Sequence, residues 1–248
     1  MTTYLNNPKP GSAQESIRIS ILKFYRINGI DLTKVFCQKL LEAQEHKSDK
    51  DFKSKVHGEI CEALLEAMLL DYIAENKLQN KWFIEKGMVV KDIDSNNSSF
   101  LTELDLTLFT PGRVILFECK SYAGEKRLVG ECTISRKGGK FDVYKQHRNH
   151  MKVLDTNIRS CYNGKPGRAY KMVLFNFSIG TLKDAREEKW RKIMPVLGTE
   201  SLNQFLDMVK QQPEVWDIRK LKKICDIIMQ KNDALRKKHL KYVTSLNH

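Results

Sequence analysis

The sequence predicts an α/β fold, a mixed sheet with helices on its faces. Three observations carry this. Residues 58–75 keep apolar side chains at helical spacing. Four strand-like segments separated by turn chemistry follow between residues 82 and 135. The rest of the chain then alternates helix, strand, helix, helix. With 248 residues the chain is long enough for a sizeable core, and 41% apolar and 29% charged residues are the balance of a soluble globular protein. A membrane span needs roughly 20 apolar residues in a row. The best stretches, 63–70 and 114–117, are short, and Glu66 interrupts the first, so a membrane protein is excluded.

In order, residues 1–11 carry Pro8 and Pro10 and read as a loose start, polar and without signal-peptide layout. Asp31 is an N-cap for a helix to about residue 46, with Leu32, Val35, Phe36, Leu40 and Leu41 on its apolar face. Residues 47–55 read as a charged link. In the helix 58–75, Ile60, Leu64, Ala67, Met68 and Ile73 hold the period, and extra leucines make it apolar on most sides, which predicts burial. Strands are expected at 82–90, 101–109, 113–120 and 130–135, with turns at Asn96-Asn97-Ser98-Ser99, Thr110-Pro111-Gly112 and Gly138-Gly139. Then come a helix at 143–159, an apolar strand at 171–177, a helix at 201–211 and a basic helix from Pro213 onward. The division is an N-terminal helical extension (1–52), a core (53–211) and a basic C-terminal helix (212–248).

Lys and Arg outnumber Asp and Glu 43 to 30, a net charge of +13 that points to an anionic partner. Between residues 217 and 241 there are nine basic and three acidic residues, but Leu221, Ile224, Ile228 and Leu235 form an apolar stripe, so this helix reads as packed on the domain as readily as a nucleic-acid arm. A second group, Arg136, Lys137, Lys140, Lys145, Arg148 and Lys152, is the better candidate for a phosphate track. The six cysteines include no CxxC pair or metal-ligand spacing, which predicts reduced thiols and a cytoplasmic location.

The informative stretch is 102–120. If Pro111-Gly112 form a two-residue loop, Thr110 pairs with Arg113, Asp105 lies opposite Glu118, and Glu103 lies opposite Lys120. Opposed residues stand about 4.5 to 5.5 Å apart at Cβ, so two carboxylates would face each other within an apolar strand pair. One resolution is a hard divalent cation such as Mg²⁺, which takes oxygen ligands, with Lys120 orienting water and neutralising phosphate charge beside it. The other is a cross-strand salt-bridge quartet, against which stands the run Val114-Ile115-Leu116-Phe117, apolar on both faces like a covered central strand.

Asp105 followed by Glu118-Cys119-Lys120 at the end of an apolar strand resembles the D…(D/E)xK pattern of the PD-(D/E)XK nuclease superfamily. The surrounding motifs are Gly58-Glu59, Thr102-Glu103-Leu104-Asp105, Thr110-Pro111-Gly112, Glu118-Cys119-Lys120-Ser121-Tyr122 with Gly124, and Gln146 four residues before His150. Together, over roughly residues 53–210, they resemble the nuclease-related domain (NERD) family. Leu104 stands where a proline is usual. The resemblance implies a restriction-endonuclease-like core that cleaves phosphodiesters with Mg²⁺, Mn²⁺ substituting. Asp105 and Glu118 would be metal-binding carboxylates, Lys120 the catalytic lysine, Glu59 the helix carboxylate completing the metal site, and Gln146 a polar residue of the following helix. Glu59 also suits the first turn of a helix through the helix dipole alone. His147 and His150 are assigned to structure or phosphate contact in preference to metal. The expected partner is nucleic acid, DNA rather than RNA, cut internally, with a homodimer as one arrangement for double-strand cutting. The alternative is a silent binding module that keeps the nuclease fold.

Overall fold

A computed structural model describes residues 49–92, 101–120, 125–136, 139–162, 169–176 and 182–245. The helix expected at 31–46 and the turn at 96–99 lie outside them. Helix α1 (Asp49–Glu75) begins within the segment read as a charged link, because Asp, Lys and Ser in that stretch carry no apolar period to reveal a helix. Its buried side chains Cys61, Leu64, Leu65, Leu69, Tyr72 and Ile73 form one stripe. It ends with Leu78 N–H donating to Ile73 C=O at 2.8 Å, and Lys77 at φ 56° turns the chain toward the sheet.

Strands β1 (Phe83–Lys91), β2 (Leu101–Phe109) and β3 (Val114–Lys120) form an antiparallel meander, completed by β7 (Tyr170–Asn176) and β9 (Val196–Leu197), both parallel to β3. Between β3 and β7 run β4 (Lys126–Val129), β5 (Thr133–Arg136), β6 (Gly139–Asp142) and α2 (Val143–Cys161). After β7 come β8 (Leu182–Asp184) and α3 (Glu188–Ile193), then, beyond β9, α4 (Thr199–Lys210) and α5 (Ile218–Ser245). The fold is thus mixed α/β with flanking helices, as predicted. The expectation of one sheet is corrected: β6, β5, β4 and β8 form a second, four-stranded sheet. Its strands are three or four residues long, too short to show a period of two in sequence.

Three cores define the layers. On one face of the main sheet, Ile115, Phe117, Val173 and Phe175 pack with α1 and with Leu202, Phe205 and Leu206 of α4. On the other, Val114, Leu116 and Phe109 pack with Val153, Leu154 and Ile158 of α2 and with Leu221, Ile224 and Ile228 of α5. A third core joins the second sheet to Met172 and Leu174 of β7. The C-terminal helix is therefore anchored by the stripe read in its sequence. It starts at Ile218, later than expected, with Asp217 Oδ1 accepting from the N–H groups of Arg219 and Lys220, both at 3.1 Å.

The β2–β3 hairpin has the two-residue register, Phe109 pairing with Val114 and Leu106 with Phe117. Thr110 closes it, its N–H donating to Arg113 C=O at 3.0 Å. The backbone pairing ends there, short of Asp105. Leu106 and Leu108 pack toward α1, whereas Leu104 packs toward α2, so β2 changes face at Asp105. β1 turns with it: Ile84 packs toward α1 and Met88 toward α2, with Gly87 at φ 58° between them, a conformation suited to glycine. The expected Glu103–Lys120 opposition therefore does not form; Glu103 is exposed and pairs in β1 with Val89.

Candidate metal centre at the end of the central strand

Beyond the last β2–β3 pair the two strands part, and the side chain of Asp105 fills the gap. Its Oδ2 accepts the N–H of Cys119 at 2.8 Å, which holds a half-buried carboxyl against the end of β3. Glu118, one residue earlier on β3, is 1% exposed and turns toward α2, since Val114 and Leu116 on the same alternation already face that helix. Lys120, two residues on, donates from Nζ to Glu118 Oε1 at 2.6 Å, a short charge-assisted bond.

Helix α2 is started by Asp142, whose side chain accepts the N–H of Lys145 at 2.9 Å. That cap fixes which residues face inward: Val143, His147, His150, Val153, Leu154, Asn157 and Ile158. The two histidines, a turn apart, come over Glu118. Its Oε2 lies 3.7 Å from His147 Nδ1 and 3.5 Å from His150 Nδ1. The three side chains are buried, and their ligand atoms lie within 4.8 Å of one another. Glu118 Oε2 and His147 Nδ1 are both buried with no hydrogen bond among the described residues, while His147 Nε2 lies 2.8 Å from Leu116 C=O.

The electrostatics separate the two carboxyls. Burial pushes Asp105 up, the charge of Glu118 pushes it further, and Lys120, the Cys119 N–H and His150 only partly offset this, leaving it at about 7. Burial also works against ionised Glu118, but His150, Lys120 and His147 outweigh it and draw the group down to about 2. For His147 burial dominates over the attraction of Glu118 and lowers the ring to about 4. One firmly ionised acid thus stands beside one that exchanges a proton near neutrality. Cys119 is not a nucleophile here. Hydrogen bonding with Cys61 of α1, burial and the charges of Asp105 and Glu62 push its thiol well above the usual range.

Of the residues singled out in the sequence, Asp105, Glu118 and Lys120 come together. Glu59 lies in the interior of α1 and not in its first turn, so the helix-dipole account of it lapses; its side chain is outside the described residues. Gln146 is exposed, one position before the buried His147. Lys145, Arg148 and Lys152 are exposed at helical spacing on the outer side of α2, and Lys140 is exposed on β6. Arg136 ends β5, but its side chain and all of Lys137 lie outside the described residues. Sequence reasoning preferred structural or phosphate-contact roles for His147 and His150 and did not place them against Glu118. Their signal was spacing: with Val143 and Leu154 they complete an inward stripe, and polar residues on such a stripe need partners.

A mixed sheet with acids and a lysine at the end of its central strand, crossed over by a helix to a parallel neighbour, is a nuclease-like α/β core. Residues 61–176 match the family model of the nuclease-related domain (NERD), in agreement with the motif spacing. The matched segment contains Asp105, Glu118, Lys120, Gln146, His147 and His150, and Glu59 falls just before it. No curated protein and no solved structure matches the chain.

Proposed function

We propose that the chain is a metal-dependent phosphodiesterase of the PD-(D/E)XK type, an endonuclease acting on DNA. The observation that carries this reading is Glu118: a buried carboxylate with one oxygen on Lys120 and the other making no hydrogen bond among the described residues, beside a second carboxyl whose ionised form burial and repulsion disfavour. Uncompensated acceptors of this kind are what a divalent cation satisfies, so the donor set fits one. Asp105 and Glu118 would hold it, with Glu59 as a third carboxylate from α1, and Mg²⁺ or Mn²⁺ would supply charge neutralisation at phosphate and acidify water.

The rest is done by the chain. The Cys119 N–H fixes Asp105, so this carboxyl meets its neighbours in one orientation. Lys120, its side chain 18% exposed and its ammonium held on Glu118 Oε1, stands beside the carboxylates, where it would orient water and stabilise charge developing on a phosphoryl oxygen. Lys145, Arg148 and Lys152 line the outer side of the helix that covers the site and take the backbone phosphates on either side of the cut. Five cysteines, Cys61, Cys119, Cys132, Cys161 and Cys225, are free, which suits a reducing compartment such as the cytoplasm. A pair of copies would serve double-strand cutting.

Circular and linear DNA incubated with the full chain in Mg²⁺, Mn²⁺ or EDTA tests the reading. Circles should be nicked or linearised with a divalent ion and remain intact in EDTA. Cutting that persists in EDTA, or loss only of linear ends, overturns the endonuclease assignment. Binding without cutting under every ion would favour the silent module.

A further inference from the structure

We infer that His147 and His150, with Glu118, are ligands of a single ion, and that this ion belongs to the Mn²⁺, Fe²⁺, Co²⁺ and Zn²⁺ class and not to Mg²⁺. The inference rests on the nuclease reading for a divalent ion at Glu118, but places that ion on the histidine side of the carboxylate, with His147 and His150 as donors in place of Asp105 and Glu59, and it begins with one hydrogen bond. The Leu116 carbonyl can only accept, so His147 Nε2, 2.8 Å away, carries the ring proton and donates it. In a neutral imidazole the other nitrogen is then a bare lone pair. That lone pair, on Nδ1, faces Glu118 Oε2 at 3.7 Å. Both atoms are acceptors, both are buried, and neither makes a hydrogen bond among the described residues. His150 Nδ1 comes to the same oxygen at 3.5 Å. Two acceptors turned toward one another in a dry interior are unfavourable, and native interiors rarely leave such groups unpaired. A cation among the three atoms removes the conflict.

Two further features point the same way. A ring clamped through its far N–H by a backbone carbonyl is the arrangement that orients a ligating histidine and fixes its tautomer. The separations also suit a shared ion: ligands about 2.1 Å from a tetrahedral centre stand roughly 3.4 Å from each other, and Glu118 Oε2 is 3.5 and 3.7 Å from the two nitrogens. Three protein donors leave room for water or a phosphate oxygen. Two imidazoles and one carboxylate select against Mg²⁺, which demands oxygen, and favour the later divalent metals. The alternative is the His150 tautomer with its N–H on Nδ1, donating to Glu118 Oε2 and leaving His147 Nδ1 as the unsatisfied atom.

The metal-stripped full chain is titrated with Co²⁺ and its visible d–d absorption followed, with Zn²⁺, Mn²⁺ and Mg²⁺ as competitors. One Co²⁺ should bind per chain, Zn²⁺ should displace it, and excess Mg²⁺ should not. His150→Gln should weaken Co²⁺ more than about tenfold, the scale of losses at metal sites when supporting groups are removed. His147→Gln should do the same; because His147 is the more deeply buried, circular dichroism checks its folding, and His150→Gln decides if it fails to fold. No d–d band, ready displacement by Mg²⁺, or unchanged affinity in His150→Gln would overturn the inference. Cutting is scored separately. Histidine-dependent Co²⁺ binding without DNA cleavage by any loaded ion upholds this site and sinks the nuclease reading. Full cleavage by His150→Gln in Mg²⁺ sinks this site and leaves the nuclease reading in place.

Discussion

Arg186 and Glu118 are both charged side chains with almost no exposure, 0% and 1%, and their surroundings treat them differently. Arg186 lies in a closed arrangement. Its Nε and Nη2 donate to the two oxygens of Asp184 at 2.9 and 2.8 Å, and Nη1 donates to Met194 C=O at 2.9 Å. Desolvation lowers the tendency of Arg186 to stay charged, but Asp184 more than restores it. Glu118 lies in an open arrangement, one oxygen bonded to Lys120 and the other facing the imidazoles of His147 and His150 without a hydrogen bond among the described residues. A charge buried to hold the second sheet against its neighbours has its valence filled by the fold. On the proposed reading, a charge buried to act keeps part of its valence for a ligand.

The sharpest way to separate the two clusters is to change the cation of each. Lys120→Gln keeps a donor for Glu118 Oε1 but loses the ammonium, so single-turnover DNA cleavage should fall by about 10² to 10³, the scale of losing one stabilising group at a reaction centre. Divalent-ion binding, read by calorimetry, should persist; loss of both together would make Lys120 a structural partner only. Arg186→Met opens the closed cluster and should cost about 3 kcal/mol of stability in urea unfolding, as breaking a buried pair does. Cleavage per folded molecule should stay at the wild-type level, and a stability change under about 1 kcal/mol would make the Arg186–Asp184 pair no more than a surface ion pair.

Smaller effects test the open cluster from within. The folded state holds the Asp105 proton up to about pH 7, well above the usual carboxylate range, so the fold favours the neutral form. That contribution is fully present below the unfolded value and is lost as pH rises toward 7. Asp105→Asn escapes the loss. In EDTA the variant should match wild type near pH 4 and exceed it by on the order of 1 kcal/mol at pH 8, and divalent ions should reverse the ranking. A variant that melts lower than wild type in EDTA at pH 8 would favour the salt-bridge account. The smallest effect concerns charges that belong to neither cluster. Lys145→Glu with Arg148→Glu should weaken DNA binding several-fold more than Arg219→Glu with Lys223→Glu, and each lost phosphate contact should lower the slope of log affinity against log salt by about 1. Equal slopes in both double variants would move the phosphate track off α2.

Much of this was legible in the sequence, for identifiable reasons. The hairpin register was legible because a two-residue loop at Pro111-Gly112 leaves one pairing, Phe109 with Val114 and Leu106 with Phe117. The apolar run of β3 marked a covered central strand, and the period of α2 set its limits to within two residues. The failures share a cause, which is tertiary. The Glu103–Lys120 opposition assumed uninterrupted alternation, and the face change at Gly87 and Asp105 ended it. The histidines could not be given a tautomer until Leu116 C=O was known to lie against His147.

The stripe on α2 that seals the core and the stripe that reaches Glu118 are one stripe, phased by the Asp142 cap. An α-helix advances about 100° per residue. One inserted residue between His150 and Val153 would swing both imidazoles about 100° off the site while Val153 and Leu154 kept the helix docked, and an insertion of seven would restore the phase but carry both rings about 10 Å along the axis. The length of this short segment is therefore fixed wherever both jobs of the stripe are kept, and free where only the scaffold is.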